Sequence, residues 1–306
     1  MNINFVKLKS NAKVNLALDV AYKRNDGYHE LNMVMQTLLL HDNMYMKKID
    51  AKKIKIITNL SYLPVDNKNL VYRAIETMQK KFDLPGGVFV EIEKNIPVSA
   101  GLGGGSANCA AALVGIRKLY GLNITNRELC EIGATLGADV PFLIMQGTAF
   151  ASGIGEKLTK LNPHPFVYVL LAKPNFNVST PSVFGGLDLE ALPNNDEKLE
   201  KMLDAIKTKD VQGIAKLFFN DLETVTQSRH PIIGEIKSAM IQAGALNAMM
   251  SGSGPTVFGY FKNKKDAMSC FRQLRQRGIR DVILTGTYNR KAYNKYPYQR
   301  GRYRWK

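Results

Sequence analysis

Apolar and polar residues alternate along Val14–Tyr22 (VNLALDVAY) and Lys53–Thr58 (KIKIIT), the two-residue period of half-buried strands. Val88–Pro97 (VFVEIEKNIP) reads as another strand, stopped by its proline. The period lengthens to that of a helix over Asn69–Phe82, where Leu70, Ala74, Ile75 and Met78 share one face, and over Ser106–Gly121, which glycine closes. NRELCEIGATLG follows as a third helix. Phe166–Pro174 (FVYVLLAKP) is a strand ended by proline, and ALPNNDEKLEKMLDAIK is a polar turn leading into an amphipathic helix. After it, IIGEIKSAMIQAGA predicts a helix, TVFGYF a strand, KDAMSCFRQLRQRG a helix and DVILTGTY a strand. The pattern implies an α/β chain of the α+β type, with helices on one side of an antiparallel sheet in its second half. Two domains in series are expected, 1–165 and 166–287, followed by a tail at 288–306, with no internal repeat.

Composition narrows this reading without redirecting it. At 306 residues, 45% apolar and 22% charged, the chain has the make-up of a soluble globular protein of one large or two medium domains. Cys109, Cys130 and Cys270 form no CxxC pair, so neither a disulfide framework nor a zinc knuckle is expected, in keeping with a reducing cytoplasm. Apolar runs such as FVYVLLA fall far short of the roughly 20 residues of a spanning helix, and the N-terminus has no apolar leader, so no membrane insertion is implied. The formal charge of +16 suggests an anionic partner, yet seven of the cations lie from Thr287 onward, which leaves +9 on the rest. That tail interleaves its cations with five tyrosines and the chain's one tryptophan, a pattern that could stack on bases. A solvated terminus is the plainer reading and the one preferred.

The densest chemical signal is PVSAGLGGGSANCAAAL, Pro97–Leu113. Glycines at 101, 103, 104 and 105 let backbone approach a ligand, and the helix that begins near Ser106 offers unpaired N–H groups and the positive end of its dipole. Together they make an anion cradle. It is not a Walker loop, which needs Gly-Lys-Ser/Thr, nor a dinucleotide fingerprint, whose last glycine would fall at Ser106.

This segment resembles the phosphate-binding motif of the GHMP kinase superfamily. AKVNLALDV from Ala12 resembles the family's first motif and MMSGSGPTVFGYF from Met249 its third, and the resemblance covers about residues 5 to 287. It implies a two-domain fold with the active site in the cleft between domains, ATP with Mg2+, and phosphoryl transfer to a small-molecule alcohol. Within the family, KRNDGYHEL (Lys23–Leu31) and LGADVPF (Leu136–Phe142) resemble the branch whose acceptor carries a cytidine diphosphate group. The reaction implied is transfer of the ATP γ-phosphoryl group to the 2-hydroxyl of a cytidylated methylerythritol, in non-mevalonate isoprenoid synthesis.

Residue roles follow from that resemblance. Asp139 in GADVP, which could otherwise cap the next turn, becomes the catalytic base, and Lys13, which could otherwise be an edge-strand lysine, becomes the partner that orients it. Lys94, Pro97, Gly101, Leu102, Gly103, Gly104, Gly105, Ser106 and Asn108 are carried to ATP, with Asn69 near its base. Lys94 ends a strand and could equally be solvated. Tyr28 and Phe184 would sandwich the cytosine, His29 would meet its hydrogen-bonding edge, Asn15 would contact the acceptor, and Thr180 and Pro181 would border the ribose. No protein ligand for a metal is assigned, and His41, His164 and His230 are read as structural or surface groups. A monomer or weak homodimer is expected.

Two rivals differ in class. One is another GHMP kinase, acting on homoserine or a sugar, against which the aromatic residues argue because such an acceptor has no base to stack. The other is a nucleic-acid-binding protein that uses the basic tail. Deleting residues 288–306 separates them: turnover persists if the chain is a kinase, whereas the binding reading requires lost affinity with a steep salt slope, as measured by coupled ADP release and by RNA titration.

Overall fold

The computed structural model describes residues 4–288, so all but the first residue of the basic tail lies outside it. The chain opens with two long strands, β1 (Phe5–Lys23) and β2 (His29–Ile49), and continues through β3 (Ile54–Thr58), α1 (Leu70–Phe82), β4 (Gly87–Glu93), α2 (Gly104–Tyr120), α3 (Asn126–Ala134) and α4 (Val140–Met145). A hairpin of β5 (Thr148–Ser152) and β6 (Lys157–Lys160) precedes β7 (Tyr168–Lys173), α5 (Thr180–Phe184), α6 (Asp196–Thr208), α7 (Val211–Lys216) and the two-residue β8 (Phe219–Asn220). The chain then runs through α8 (Asp221–Arg229), α9 (Ile232–Gln242), β9 (Asn247–Met250), β10 (Val257–Phe261), α10 (Lys264–Gln276) and β11 (Asp281–Gly286).

The first sheet runs β3-β4-β2-β1-β8, with β5 also paired to β2 and β6 to β5; the second runs β11-β7-β10-β9 and is antiparallel throughout. Helices α9 and α10 pack on the second sheet and on each other, which puts them on one face as the pattern predicts. Gly259 of β10 turns toward Met240 of α9, while its neighbours Phe258 and Tyr260 meet Phe218 on the opposite face. The two sheets are joined at both ends of the second. Phe219 and Asn220 pair in parallel with Ala17 and Leu18 at the edge of the first sheet, from where Asn220 Nδ2 donates to the Met250 carbonyl of β9 at 2.8 Å, and Thr287, just past β11, bridges Leu38.

Strand β1 starts at Phe5, well before the alternating stretch from Val14, and the two boundaries that flank the glycine loop also differ from the sequence pattern. The strand read through to Pro97 ends at Glu93, because the next N–H groups leave the ladder for side chains: Lys94 donates to Asn59 Oδ1 at 2.8 Å, and Asn95 and Ile96 donate to Asp42 Oδ1. The helix read from Ser106 starts at Gly104, so two of the four glycines belong to its first turn. Strand β2 went unread, although its burial is nearly continuous from Met33 to Asp42.

The joint at β8 carries an acidic pair, Asp221 buried and Asp19 half-buried. Asp221 accepts from the Val20 N–H at 2.8 Å and from Asn195 Nδ2 at 3.1 Å, and Asn195 Nδ2 also reaches Asp19 at 3.1 Å. Burial, with the nearby Asp19 charge adding to it, pushes the Asp221 carboxyl up to about 6, against the lowering effect of its hydrogen bonds and Lys198. A carboxyl raised in the folded state binds more protons there than in the unfolded chain, so its contribution falls as pH rises from about 4 to about 6. The expected outcome is that Asp221→Asn gains thermal stability relative to the parent between pH 4.5 and pH 7. A relative loss over that range, measured by thermal unfolding, would contradict the assignment.

Candidate active site

The glycine loop between β4 and α2 holds three residues of positive φ, Ser99 at +51° and two glycines that shape its far end. Gly103 holds the N-cap position of α2 with φ +68°, and no side chain caps that helix. Gly101 has φ +71°, and a Cβ there would stand 2.1 Å from the Ser251 carbonyl oxygen. Only glycine meets both demands, the conformation and the close approach. The first turn of α2 therefore presents N–H groups and the positive end of a 17-residue helix, with no side-chain cap at Gly103 to occupy them.

Strand β1 brings Lys13 to this loop. Its backbone N–H donates to the Leu102 carbonyl at 3.0 Å, and its side-chain stem lies 3.1 Å from the Cβ position of Gly103. The ammonium reaches two groups, Asn15 Oδ1 at 2.7 Å and Asp139 Oδ2 at 3.5 Å. Lys13 is buried, whereas the Asp139 side chain keeps 29% exposure, enough for a ligand to meet it. Asp139 stands at the N-cap position of α4 but makes no capping bond, so its carboxylate is not consumed by the turn. Ser106 completes this side, its hydroxyl 3.8 Å from the Cβ position of Gly137 in the loop that leads to Asp139.

The third glycine-rich segment braces the first. Ser251 Oγ donates to the Gly101 carbonyl at 2.9 Å, and the Cβ position of Gly252 lies 3.6 Å from Asn15 Oδ1. Ser253 then shares a 2.8 Å hydrogen bond with Thr180, the first residue of α5, in which Pro181 pre-sets the first turn. Phe184 ends that helix and stacks on His29, centroids 5.0 Å apart and planes 23° from parallel. Burial beside Lys23 lowers the His29 pKa, which favours its neutral, hydrogen-bonding form. Glu30 anchors the hairpin that carries these residues, accepting from Arg24 at 3.0 Å and from the Gly153 N–H at 2.9 Å.

The sequence-predicted residues thus form one path from His29 and Phe184 through Thr180 and Asn15 to Lys13, Asp139 and the glycine loop, with three differences. His29, not Tyr28, lies against Phe184, and Tyr28 stands 61% exposed at the tip of the hairpin. Asn69 caps α1, accepting from Val71 N–H at 2.9 Å and donating to the Pro64 carbonyl at 2.7 Å, which leaves one amide proton and one lone pair unspent by these bonds. Lys94, open to solvation on the strand reading, is buried with Asn108. Pro97 follows directly on Ile96, where the chain enters the loop. Sequence reasoning missed Ser251 and Ser253, whose only signal was their place in the third motif, and Asp42, for which none of the motifs gave a signal.

Comparison with known proteins agrees with this arrangement. The family model for the N-terminal domain of GHMP kinases matches residues 69–147, and that for the C-terminal domain matches residues 202–280. A protein of Lachnospira eligens named 4-diphosphocytidyl-2-C-methyl-D-erythritol kinase is 48% identical over 288 residues, covering 92% of this chain and 98% of its own. A crystal structure of a 4-(cytidine 5'-diphospho)-2C-methyl-D-erythritol kinase superposes with TM-score 0.79 at 30% identity, over 93% of this chain and all of that one. A homoserine kinase from Cytophaga hutchinsonii shares the fold, with TM-score 0.74 at 19% identity over 92% of this chain and 94% of its own. With both halves of the family pattern present and near-half identity along almost its whole length, the chain belongs to the GHMP kinase family, among its 4-diphosphocytidyl-2-C-methyl-D-erythritol kinases.

Proposed function

We propose that the chain transfers the γ-phosphoryl group of ATP to the 2-hydroxyl of 4-diphosphocytidyl-2-C-methyl-D-erythritol, giving the 2-phosphate and ADP, as a cytoplasmic enzyme of isoprenoid precursor synthesis. The observation that carries the chemistry is the meeting of Lys13 with Gly103 on one side and Asp139 on the other. The names of the relatives supply the acceptor. The two halves of the chain, divided near residue 165, contribute to one site: the first brings Lys13, Asp139 and the glycine loop, the second Thr180, Phe184 and the bracing third segment.

In this reading the first turn of α2 and the loop N–H groups bind the phosphates, while Lys13 offsets charge on the transferring group. The acceptor hydroxyl lies against Asp139. As its oxygen bonds to the γ-phosphorus, the bond to the oxygen shared with the β-phosphate breaks, ADP departs, and the hydroxyl proton passes to the Asp139 carboxylate. Lys13 holds that carboxylate in place through its ion pair and is itself oriented by Asn15. Cytosine is recognised at the hairpin and α5, where Phe184 offers a face for stacking and His29 and Tyr28 supply the neighbouring polar and aromatic groups.

Magnesium fits as an ion carried by the phosphates. Among the described residues no group of three or more His, Cys, Asp or Glu could hold it alone, and the Ser106 hydroxyl is the protein oxygen beside the loop that would do so. Bound there, it would neutralise phosphate charge in the transition state.

Asp139→Asn is expected to lower kcat by about 10²–10⁴-fold with ADP affinity retained, in coupled ADP release and calorimetry. In the parent, homoserine and galactose should neither turn over nor compete with the cytidylated acceptor. Activity that survives the substitution would move the base elsewhere, and turnover of homoserine would move the chain to another branch of the family. Gly101→Ala should cost about 1–3 kcal/mol of stability from its left-handed φ alone. It should also raise the KM for ATP, because the new methyl group forces the Ser251 loop away; unchanged KM would refute the bracing role.

A further inference from the structure

Beneath the glycine loop sits a charge that the mechanism above does not use. Asp42 on β2 is fully buried, a position where an isolated carboxylate would be strongly disfavoured. Here both oxygens are saturated. Oδ1 accepts the N–H groups of Asn95 at 2.6 Å and Ile96 at 2.8 Å; Oδ2 accepts the Lys94 ammonium and Asn108 Nδ2, the latter at 2.9 Å. Lys94 also donates to Asn108 Oδ1 at 2.8 Å, which closes a triangle of lysine, aspartate and asparagine.

Both arms of Asp42 end at the same turn of backbone. Through Oδ1 it fixes Ile96, whose Cγ2 lies 3.1 Å from the Cβ position of Gly104, the first residue of α2. Through Oδ2 it fixes Lys94, whose ammonium lies 3.5 Å from that same position. Asp42 and Asn108 take two of the three ammonium protons, which leaves one for another acceptor. Without the carboxylate, a lysine this buried would have no anion beside it and would swing away, and the turn above it would lose its floor.

We propose that Asp42 is a positioning residue for nucleotide binding: by holding Lys94, Asn108 and Ile96 together under Gly104, it sets the first turn of α2 and one ammonium proton in the arrangement that receives the phosphates of ATP. The inference rests on the kinase reading and on the glycine loop as the ATP site. It assigns Asp42 no contact with the nucleotide. The arm that Asp42→Asn removes passes through Lys94, since an amide oxygen can still accept from Ile96, and the change should leave the acceptor side, built on His29, Phe184 and Thr180, untouched.

The test uses the full chain as wild type, Asp42→Asn, Lys94→Met and the double variant, with steady-state kinetics in both substrates and calorimetric ADP binding. Asp42→Asn is expected to raise the KM for ATP and weaken ADP binding by about tenfold, the scale of one lost charge-assisted hydrogen bond. The KM for the cytidylated acceptor should stay within about twofold, and adding Asp42→Asn to Lys94→Met should cost nothing further, as residues acting in series require. If Asp42→Asn fails to fold, Asp42→Glu, which keeps the charge but displaces the lysine, should show the same ATP-specific change at smaller size. Unchanged ATP and ADP affinity, multiplying effects in the double variant, or equal rises in both KM values would overturn the proposal. A wild-type chain that binds no ADP would instead overturn the functional reading beneath it.

Discussion

Helix α2 begins without a cap, and most of the surrounding structure exists to make that tolerable. Four N–H groups at a helix start need acceptors, and here no side chain supplies one. The loop that leads in must be held open in left-handed conformations at Gly101 and Gly103, which a chain left to itself would exchange for others. Three separate parts of the sequence prevent this: Lys13 binds the Leu102 carbonyl from β1, Ser251 binds the Gly101 carbonyl from the third glycine-rich segment, and Asp42 fixes the stretch just before the loop from β2. An anion cradle is thus a tertiary structure, and the glycine run is only its inner surface.

That distinction explains which parts of the site could be read from the sequence. Lys13 and Asp139 were picked out only because their segments resemble family motifs, whereas the glycine loop gave a strong local signal. The main helices and most strands were legible for the same reason, since their periodicity is local. Asp42 was not legible: its partners lie 52 to 66 positions away, and an acidic residue in the middle of an apolar stretch carries no sign of what it will meet. The end of β4 shifted for a related reason, because side chains from elsewhere took the backbone groups that periodicity alone would have placed in a ladder, whereas α2 starts at Gly104 because Gly103 takes the left-handed N-cap position. The pairing of Phe184 with His29 rather than Tyr28 depends on how the hairpin is tied to the β5–β6 turn, and that tie runs through Glu30 and Gly153.

The acceptor side shows the same economy at longer range. Helix α8, nine residues long, and the asparagine that caps it hold most of the second half's contribution in register. Asn220 Nδ2 donates to the carbonyls of Met250 and Gly252 at 2.8 Å each, Glu223 accepts from the Met250 N–H at 2.7 Å while paired with Lys237, and Thr226 donates to the Ser253 carbonyl at 3.3 Å. At the far end Arg229 binds the Ser182 carbonyl at 3.2 Å, inside α5. One rigid element therefore sets both the segment that braces the glycine loop and the helix that carries Phe184. On the proposed reading one piece of structure spaces the phosphate and base sites, which suits a substrate whose base and reacting hydroxyl are joined through a ribose, a diphosphate and a short polyol.

The net charge of the chain says little about how its site attracts anions. Lys13 is matched by Asp139 and Lys94 by Asp42, so the two lysines nearest the loop contribute close to zero net charge. The attraction must come from oriented dipoles, the loop N–H groups and the end of α2, which act over a few ångströms and are fixed before the ligand arrives. Such an arrangement favours a phosphate at one location over an anion in general, because a dipole rewards only a charge lying along it. The paired lysines then contribute direction as well as a local offset of charge on the transferring group. An ammonium tied to a carboxylate points its remaining protons where the fold has aimed them, and in a phosphoryl transfer, where little covalent chemistry falls to the protein, aim is most of what catalysis requires.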